Sequence, residues 1–564
     1  MSKKKIIIIG GSAAGPKAAS RARRLDEHAE IIMIQKSADL SMASCGYPYF
    51  VGGYFDDRNQ LLCSPSGVVR DSNYFLNAKN IIAKVNTEVT AIDRKTKKIE
   101  FQNLISGEKG SLDYDKLVIA TGAIARKPPI PGVDLDGIST LLSMPDADYL
   151  RKVRDEGKIK KAVVIGGGLI GIETVEALHL AGIEVTLIEL LPQLLTFLDK
   201  HLARLVERYV QSKANVILQN GVSAFLGENG KLTAVKLNDG TELPCDLAVL
   251  AIGVTPNSKL AREAGLNVSQ TGGIIVDEYM QTSDSDIYAI GDCVEVTNLI
   301  TNNKVHAPFG DLANLQGRVV GENLIKGNTV KFKGTIQTGV CKVFDYSAGT
   351  TGLSEQNAIK NGITNFETAI NASLDKPGFM KGNLLITKLI VDKSTEKILG
   401  AQVIGPGDVS KQLAIWAMAI QGKLTIADMV NADLPYAPPF SLAIDHSIAT
   451  AHVMQNKLRG IFKGISAEEV KDKVKKQDNT IYLDVRNPDE YEQMRIGIGE
   501  RLIPLGQLRK RISELPEDKN TEIVTWCKIS LRGYEAALIL QANGYTNVKV
   551  MEGGIVSWPW AREK

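Results

Sequence analysis

The feature that most constrains the fold is a pair of similar segments, each an apolar run that ends in a glycine-rich turn. The first segment, IIIIGGSAAG, spans residues 6–15 and precedes another apolar run at 31–35. The second, AVVIGGGLIG, spans 162–171 and precedes a run at 185–189. Short continuous apolar runs are typical of parallel strands covered on both faces. We therefore predict two strand–turn–helix–strand units, each able to bind one nucleotide.

The second unit carries a complete glycine fingerprint. Gly166, Gly168 and Gly171 follow a predicted strand and open a predicted helix, as the fingerprint requires. These positions serve the tight turn, the close approach of a pyrophosphate, and helix–strand packing. Glu189 ends the second strand, where a carboxylate accepts hydrogen bonds from ribose hydroxyls and repels a 2′-phosphate. Because Leu190 supplies no compensating cation, we expect NADH rather than NADPH here.

The first unit is less regular. Gly10 and Gly15 keep the first and third positions of the fingerprint, but Ser12 occupies the middle one. Gln35 stands where the ribose-binding acid is expected. An amide can still hydrogen-bond a ribose, although without the assistance of a charge. This unit is therefore a candidate for a second, different nucleotide.

Two later predicted strands also run into a glycine turn. One ends at Thr121 and Gly122, and the other ends at Gly291 and Asp292. Strand ends of this kind meet at the carboxyl edge of a parallel sheet, where ligands bind. We therefore include these four residues among the candidate cofactor-binding residues.

Two of the six cysteines lie in loops suited to sulfur chemistry. Cys45 has no second cysteine four or five positions away, so it must cycle through a mixed disulfide, a persulfide or a sulfenic acid. Since only the thiolate is nucleophilic, we expect its pKa to be lowered by a helix N-terminus or by a bound cofactor. Cys527 opens a second loop, which ends at Arg532. The remaining cysteines are predicted to be structural, namely Cys63, Cys245, Cys293 and Cys341.

Composition excludes several classes of function. The 564 residues predict three or four domains, and a formal charge of +3 gives no case for binding nucleic acid or a membrane. Six widely spaced cysteines form neither a disulfide framework nor a metal-ligand pattern, so no metal is expected. They suit a reducing compartment. With no apolar run long enough to span a bilayer, we predict a cytoplasmic protein.

These features together resemble a known family of flavoproteins. The two glycine units, the later strand-to-turn pairs and the single Cys45 are similar to disulfide reductases with two dinucleotide folds, over roughly residues 1–450. Pro48 and the segment from Tyr436 to Pro439 resemble the branch that contains coenzyme A disulfide reductases, NADH-dependent persulfide or polysulfide reductases, and NADH oxidases. The resemblance implies FAD at the first unit, with Asp292 at its ribityl chain, and NADH at the second.

The last hundred residues resemble a rhodanese module. Residues 482–486, YLDVR, followed by Glu490, look like its first signature. The segment from Cys527 to Arg532 has the length of a six-residue rhodanese loop. By that resemblance, backbone N–H groups hold a thiolate, a persulfide or an anionic sulfur donor, and Arg532 adds positive charge. A glycine is usual where Ser530 stands, which puts the loop shape in question.

The resemblances imply an α/β chain with two Rossmann-like FAD- and NAD-binding domains, an α+β dimerisation domain and a rhodanese-like domain. They imply a homodimer in which Tyr436 reaches the cysteine of the partner subunit. The predicted domains are FAD-binding, first part (1–149), NAD-binding (150–250), FAD-binding, second part (251–329), dimerisation with a connector (330–463) and rhodanese-like (464–564).

Several positions depart from the coenzyme A branch of the family. Ser44 replaces an asparagine before the cysteine, and Leu315 replaces an arginine. Asp375 and Lys376 replace a tyrosine pair. Losing an arginine and an aromatic pair weakens the case for a bulky phosphorylated thiol. A smaller persulfide, polysulfide or other low-molecular-weight disulfide fits better, and coenzyme A remains an alternative.

The expected activity is NADH-dependent reduction of sulfane sulfur at Cys45, with Cys527 delivering the sulfur. A coenzyme A disulfide reductase is one alternative. An NADH oxidase, in which Cys45 cycles as a sulfenic acid, is another and would consume oxygen without any sulfur substrate. A non-enzymatic flavin redox sensor or sulfur carrier is the third, and it would show no steady-state NADH oxidation with any acceptor.

Overall fold

The computed structural model describes residues 3–564 and divides into two compact units. Unit 1 contains the chain up to Pro192 together with residues 214–335, and unit 2 contains residues 193–213 and 336–564. The segment 193–213 therefore interrupts the range predicted to bind NAD. The domain bounds stated above stay predictions.

Unit 1 contains two parallel five-stranded sheets, one for each glycine unit. The apolar runs are buried on both faces, as the sequence predicts for parallel strands. The first sheet has the order β18-β7-β1-β2-β3, formed by β1 (Lys5–Ile9), β2 (Glu30–Ile34), β3 (Ile82–Lys84), β7 (Lys116–Ile119) and β18 (Ile287–Ala289). The second has the order β12-β11-β10-β16-β9, formed by β9 (Ile138–Ser139), β10 (Lys161–Ile165), β11 (Glu184–Glu189), β12 (Asn215–Leu218) and β16 (Leu247–Leu250).

The helices of the two glycine units are α1 (Ala14–Arg23) and α5 (Leu169–Leu180). Helix α8 (Gly310–Lys326) packs closely on α1. The packing leaves no room for a side chain at Gly317, since a β-carbon there would lie 2.5 Å from the Ala14 carbonyl oxygen. The other helices of unit 1 are α2 (Tyr47–Gly52), α3 (Ser72–Lys79), α4 (Met144–Glu156) and α7 (Lys259–Glu263).

Small antiparallel sheets complete unit 1. Two have three strands: β4 (Thr87–Asp93), β5 (Lys98–Asn103) and β6 (Lys109–Asp113), and β13 (Val222–Glu228), β14 (Lys231–Leu237) and β15 (Glu242–Pro244). Two have two strands: β8 (Ala123–Ala125) with β17 (Val254–Pro256), and β19 (Glu295–Thr297) with β20 (Lys304–His306).

Unit 2 begins with an antiparallel sheet of order β21-β22-β25-β24-β23, in which β23 is an edge strand. Its strands are β21 (Gly339–Val343), β22 (Tyr346–Gly352), β23 (Phe366–Leu374), β24 (Leu384–Asp392) and β25 (Ile398–Gly405). Its helices are α9 (Glu355–Lys360), α10 (Val409–Gln421), α11 (Ile426–Met429) and α12 (His446–Leu458).

The inserted segment 193–213 forms helix α6 (Lys200–Gln211) and is anchored to this sheet by a buried polar network. Gln402 donates to the Asp199 carboxylate at 2.8 Å and accepts the Asp199 N–H at 2.7 Å. The ammonium of Lys388 lies 3.1 Å from the same carboxylate. A buried charge that is paired and hydrogen-bonded in this way fixes the register of the segment on the sheet.

The C-terminal part of unit 2 is a parallel sheet with flanking helices. Its strand order is β26-β30-β29-β27-β28, formed by β26 (Gly464–Ile465), β27 (Ile481–Asp484), β28 (Arg501–Leu502), β29 (Ile523–Trp526) and β30 (Val548–Met551). Its helices are α13 (Ala467–Lys476), α14 (Pro488–Gln493), α15 (Leu505–Leu508) and α16 (Leu531–Ala542). The predicted mixed α/β architecture is confirmed. None of the helices within residues 3–564 is long and apolar enough to cross a membrane.

Candidate functional site

The two glycine turns have nearly the same geometry. Gly10 and Gly166 have φ angles of +111° and +108°, in the region that favours glycine. A β-carbon at Gly10 would lie 2.0 Å from the Ala120 carbonyl oxygen, and one at Gly166 would lie 2.4 Å from that of Ala251. Each turn therefore touches the end of the neighbouring strand, and only glycine fits.

The other fingerprint positions follow the same rule. A β-carbon at Gly15 would lie 1.9 Å from the Gly10 carbonyl oxygen, and one at Gly171 would lie 1.9 Å from that of Gly166. Within residues 3–564, no atom other than those of the adjoining backbone comes within 4 Å of a β-carbon at Gly168, so the middle of the second turn is open. These positions fit a dinucleotide, because close helix–strand packing is combined with space for a pyrophosphate.

The side chains that end the second strands also occupy equivalent places. Gln35 Oε1 accepts the Gly11 N–H at 2.7 Å, and Glu189 Oε2 accepts the Gly167 N–H at 2.6 Å. Glu189 Oε1 additionally accepts the Leu191 N–H at 2.8 Å. Both side chains are thus held at the mouth of their glycine turn, one neutral and one charged.

The two later strand-to-turn pairs are fixed by residues that the sequence did not single out. Thr121 donates to the Asn257 carbonyl at 2.6 Å, and Asn257 donates from its N–H to the Gly122 carbonyl at 2.9 Å. The Gly291 N–H donates to Gln316 Oε1 at 2.7 Å. Asn257 and Gln316 have no local pattern that could have revealed them, because their partners lie at other strand ends.

Asp292 lies at the end of the first sheet, beside His306. His306 donates from Nε2 to the Asp292 carbonyl oxygen at 2.8 Å. Burial raises the pKa of the Asp292 carboxyl. The position fits the predicted role of accepting a hydroxyl group of a bound cofactor.

Cys45 lies in a short 3₁₀ turn, Ser44–Gly46, and is exposed. A β-carbon at Gly310 would lie 3.7 Å from its sulfur, which places the thiol near the N-terminus of α8. The positive end of that helix favours a thiolate. Partial burial nevertheless raises the pKa of the Cys45 thiol, and the carboxylates of Glu173, Asp292 and Asp311 add to the increase. The predicted helix N-terminus is present, and a lowering of the Cys45 pKa by a bound cofactor stays a prediction.

The loop after Cys45 packs against the helix of the second glycine unit. The Tyr49 hydroxyl donates to Glu173 at 3.0 Å, and the Tyr54 hydroxyl donates to Glu176 at 2.7 Å. Both glutamates lie on α5, which begins just after the second glycine turn. The sulfur and the candidate NADH site therefore belong to one region of unit 1.

Cys527 lies in a different environment in unit 2. It follows β29 and is 1% exposed. The Arg532 guanidinium lies within electrostatic reach of its sulfur and donates two hydrogen bonds to the Glu490 carboxylate, both 2.7 Å long. The Arg532 bond lowers the pKa of Glu490 to about 2, and the carboxylate in turn raises the pKa of Arg532. A fixed positive charge is thus held at the thiol.

Ser530 adopts the backbone conformation that favours glycine, although it stands where a glycine is usual. Ser530 has a φ angle of +82°, and its hydroxyl donates to the Met551 carbonyl at 3.1 Å. Helix α16 begins at Leu531, two positions before the start near Gly533 that the sequence indicated. The backbone N–H groups of its first turn have no partners within the helix, which begins directly after the loop.

Residues of the first rhodanese signature position the carboxylate that holds Arg532 in this loop. Arg486 is 2% exposed and donates to Asp484, to the Glu490 carbonyl at 3.0 Å and to the Met494 carbonyl at 2.7 Å. Its contact with the backbone of Glu490 positions the carboxylate that holds Arg532. Glu490 was quoted in the sequence signature, but its pairing with Arg532 was not predicted.

Tyr436 lies in an irregular segment of unit 2 and is 54% exposed. Phe440 and Ile444 nearby are also exposed. Exposed apolar side chains in a cluster are typical of protein–protein contacts. The predicted approach of Tyr436 to the partner subunit stays a prediction.

Family models match most of the chain. The model for pyridine nucleotide-disulphide oxidoreductases matches residues 4–307, that for the dimerisation domain of these enzymes matches 338–448, and that for rhodanese-like domains matches 466–559. This chain belongs to the pyridine nucleotide-disulphide oxidoreductase family. The prediction of an oxidoreductase with two Rossmann-like domains, a dimerisation domain and a rhodanese-like domain is confirmed.

Individual relatives of this oxidoreductase cover most or all of it. It is 35% identical over 454 residues to the "NAD(P)H coenzyme A polysulfide/persulfide reductase" of Pyrococcus horikoshii, covering 80% of the chain and 99% of the relative. A solved NAD-dependent persulfide reductase from A. fulgidus is 42% identical, with a TM-score of 0.93 and coverage of 98% and 100%. Reduced CoADR-RHD from Bacillus anthracis is 36% identical, with a TM-score of 0.91 and coverage of 99% and 98%.

The remaining predicted residues of this oxidoreductase have ordinary surroundings. Cys245, Cys293 and Cys341 are buried, and Cys63 is partly buried. Leu315 is 54% exposed on α8.

Proposed function

We propose that this chain is an NADH-dependent FAD enzyme that reduces the sulfane sulfur of a persulfide or polysulfide at Cys45, with Cys527 delivering sulfur. The observation that carries the proposal is the coexistence of two different sulfur sites. An exposed thiol lies near the N-terminus of α8 in unit 1, and a buried thiol lies near a guanidinium in unit 2. The persulfide reductase from A. fulgidus, similar over nearly the whole chain, supports the same substrate class.

The residues of the first unit would hold FAD, and those of the second would hold NADH. Ser12, Gln35, Thr121, Gly122 and Asp292 are assigned to the former, and the open turn at Gly168 with Glu189 is assigned to the latter. When bound, the flavin supplies the transfer of two electrons from the nicotinamide to sulfur. Glu189 orients the NADH ribose through charge-assisted hydrogen bonds and disfavours a 2′-phosphate.

Cys45 performs the sulfur chemistry in this proposal. Its thiolate attacks the sulfane sulfur, an S–S bond of the substrate breaks, and a thiol leaves while Cys45 becomes a persulfide. Reduction then restores the thiolate and releases sulfide. The balanced reaction is RSSH + NADH + H⁺ → RSH + H₂S + NAD⁺, in which NADH is oxidised and the S–S bond is reduced.

Cys527 binds the outer sulfur first. Arg532 and the N–H groups of the loop stabilise the negative charge of the bound persulfide. Transfer to Cys45 completes the cycle, and Tyr436 of a partner subunit would close over the sulfur site in a homodimer. A low-molecular-weight donor is favoured over coenzyme A, because the exposed Leu315 provides no cation for a phosphate.

Anaerobic NADH oxidation tests the proposal. The FAD-loaded enzyme is assayed with polysulfide, glutathione persulfide and coenzyme A disulfide, alongside Cys45→Ser. We expect fast turnover with the first two donors and none in the variant. Turnover that requires oxygen and no sulfur donor would contradict the proposal and favour an NADH oxidase. If turnover were fastest with coenzyme A disulfide, the substrate would be a coenzyme A disulfide rather than a persulfide or polysulfide.

A further inference from the structure

The turn after the last strand of the rhodanese-like sheet touches the cysteine loop directly. This turn, residues 552–555, follows β30. The Ile555 N–H donates to the Cys527 carbonyl at 2.9 Å. A β-carbon at Gly554 would lie 2.6 Å from the same oxygen. Any displacement of the turn must therefore displace the backbone that carries the thiol.

The same turn is fixed on its other side to the edge of the antiparallel sheet of unit 2. Glu552 is 4% exposed, and its Oε2 accepts the Ile370 N–H at 2.8 Å. Ile370 lies on the edge strand β23, whose outward N–H groups have no strand partner. The carboxylate thus satisfies a backbone donor of one sheet and starts the turn of the other.

Lys457, on α12, completes the connection. Its ammonium lies 2.5 Å from Glu552 Oε1 and donates to the Thr368 carbonyl of the edge strand at 2.7 Å. Glu367 is 3.3 Å away. Burial opposes the charge on Lys457, but the two carboxylates outweigh it and raise the pKa of this lysine. A carboxylate held by so many donors in a buried place is a rigid anchor.

We propose that Glu552 is a positioning residue for Cys527: it fixes the 552–555 turn to the edge of the dimerisation sheet and thereby holds the cysteine loop in its sulfur-binding shape. This inference rests on the role of Cys527 in the proposed function. The sulfur-binding loop is then built by two domains, and the rhodanese-like domain is not an independent module.

The test uses a reaction of Cys527 that needs neither nucleotide nor Cys45. Thiosulfate transfers its outer sulfur to the thiolate and leaves as sulfite, and cyanide then removes the sulfur as thiocyanate. The full-length holoenzyme is compared with Glu552→Gln, Lys457→Met and Cys527→Ser. We expect kcat to fall about 10- to 100-fold in Glu552→Gln, because a small misplacement of a reacting group costs this much. The decrease in kcat should be smaller in Lys457→Met, since the hydrogen bond from the Ile370 N–H to Glu552 remains.

A second readout distinguishes positioning from general loss of structure. The rate at which Cys527 is alkylated is followed by peptide mass spectrometry across pH. In Glu552→Gln the alkylation rate should differ from that of the unaltered protein, because the buried thiol is displaced from its place near Arg532. The matched control is Lys473→Met, which removes a partly buried ion pair with Glu522 at the opposite end of the same sheet. Its kcat and alkylation profile should equal those of the unaltered protein.

Each outcome separates this inference from the proposed function. Unchanged kcat and an unchanged alkylation profile in Glu552→Gln, with no activity in Cys527→Ser, would overturn the inference alone. Full activity in Cys527→Ser would overturn the proposed role of Cys527. Should Glu552→Gln fail to fold, Gly554→Ala provides the same test, because its methyl group presses on the Cys527 carbonyl. Normal sulfur transfer in that variant would also contradict the inference.

Discussion

The two sulfur sites differ in the charge that the chain places around them. Partial burial of the Cys45 sulfur raises the pKa of its thiol, and the carboxylates of Glu173, Asp292 and Asp311 add to the increase. Cys527 is buried and contacts the guanidinium of Arg532. An anionic sulfur species is therefore stabilised at Cys527 and destabilised at Cys45.

This difference matches the two roles that we propose. A site that captures sulfane sulfur must hold an anionic persulfide until it is transferred. A site that ends the reaction must release sulfide or a thiolate, and neighbouring carboxylates favour that release by repulsion. The chain thus separates retention and release between two environments, and the predictions below test that separation in order of expected effect.

The largest effect should come from exchanging each sulfur for oxygen. Cys45→Ser is expected to lower NADH-dependent sulfide release by more than about 1000-fold while leaving thiosulfate–cyanide transfer unchanged, since covalent catalysis is lost at one site only. Cys527→Ser should abolish thiosulfate–cyanide transfer and NADH oxidation with thiosulfate, but should leave unchanged the reduction of a persulfide that reaches Cys45 directly. Loss of thiosulfate–cyanide transfer in Cys45→Ser, or loss of direct persulfide reduction in Cys527→Ser, would show that the two sites are not separable.

Releasing the Arg532 guanidinium from the carboxylate that holds it near Cys527 should have the next largest effect. In Glu490→Gln, Arg532 loses its two charge-assisted bonds, and we expect kcat for thiosulfate–cyanide transfer to fall about tenfold. NADH oxidation with a persulfide that reaches Cys45 directly should not change. An unaltered kcat would mean that Arg532 does not depend on Glu490 for its position.

The same pair makes a prediction about pH. The folded pKa of Glu490 is about 2, below its usual 4.5, so its contribution to stability is complete above pH 4.5 and is lost as the pH falls towards 2. The stability difference between the unaltered protein and Glu490→Gln, measured by urea unfolding, should shrink over that interval. A difference that stays constant below pH 4.5 would contradict the ion pair.

An effect of similar size is expected at the NADH site that supplies electrons to Cys45. Glu189→Gln copies the neutral side chain found at Gln35, and we expect the KM for NADH to rise about tenfold, or about 1.4 kcal/mol, with less discrimination against NADPH. Thiosulfate–cyanide transfer should be unaffected because it needs no nucleotide. Steady-state titration with both nucleotides measures this, and an unchanged KM ratio would remove Glu189 from the ribose site.

The smallest effect should come from the carboxylates near Cys45. Glu173→Gln keeps an acceptor for the Tyr49 hydroxyl but removes a charge, so the Cys45 pKa should fall and its alkylation at pH 7.5 should become about two- to fivefold faster. Glu176→Gln is the control, because Glu176 lies three positions further along the same helix and is not among the carboxylates that raise the Cys45 pKa. Slower alkylation in Glu173→Gln would reverse our account of the charge around Cys45.

The sequence predicted what depends on local pattern. The two glycine turns, the strands before them and the acid or amide after them follow from spacing, and both turns have the same backbone geometry. The family resemblance supplied the order of the domains. Contacts between distant segments could not be predicted from the sequence, because no local pattern marks Asn257 or Gln316 as partners of the strand-end turns.

The sites show the same limit. The cysteine loops were recognised from sequence, but the charges around them come from other elements. The pKa of Cys45 depends on carboxylates from three segments, and Arg532 depends on Glu490, forty-two positions earlier. Segment 193–213 packs with unit 2 through Asp199, and no sequence pattern indicated it.

The most direct test follows one sulfur atom through the holoenzyme. Cys527 is loaded anaerobically with radiolabelled sulfane sulfur from thiosulfate, excess donor is removed, and NADH is added. Peptide mass spectrometry and sulfide trapping then locate the label over time. We predict that it leaves Cys527, appears on Cys45 and is released as one sulfide for each NADH oxidised, whereas in Cys45→Ser it stays on Cys527. Label that remains on Cys527 in the unaltered enzyme, or sulfide released equally by Cys45→Ser, would contradict the account.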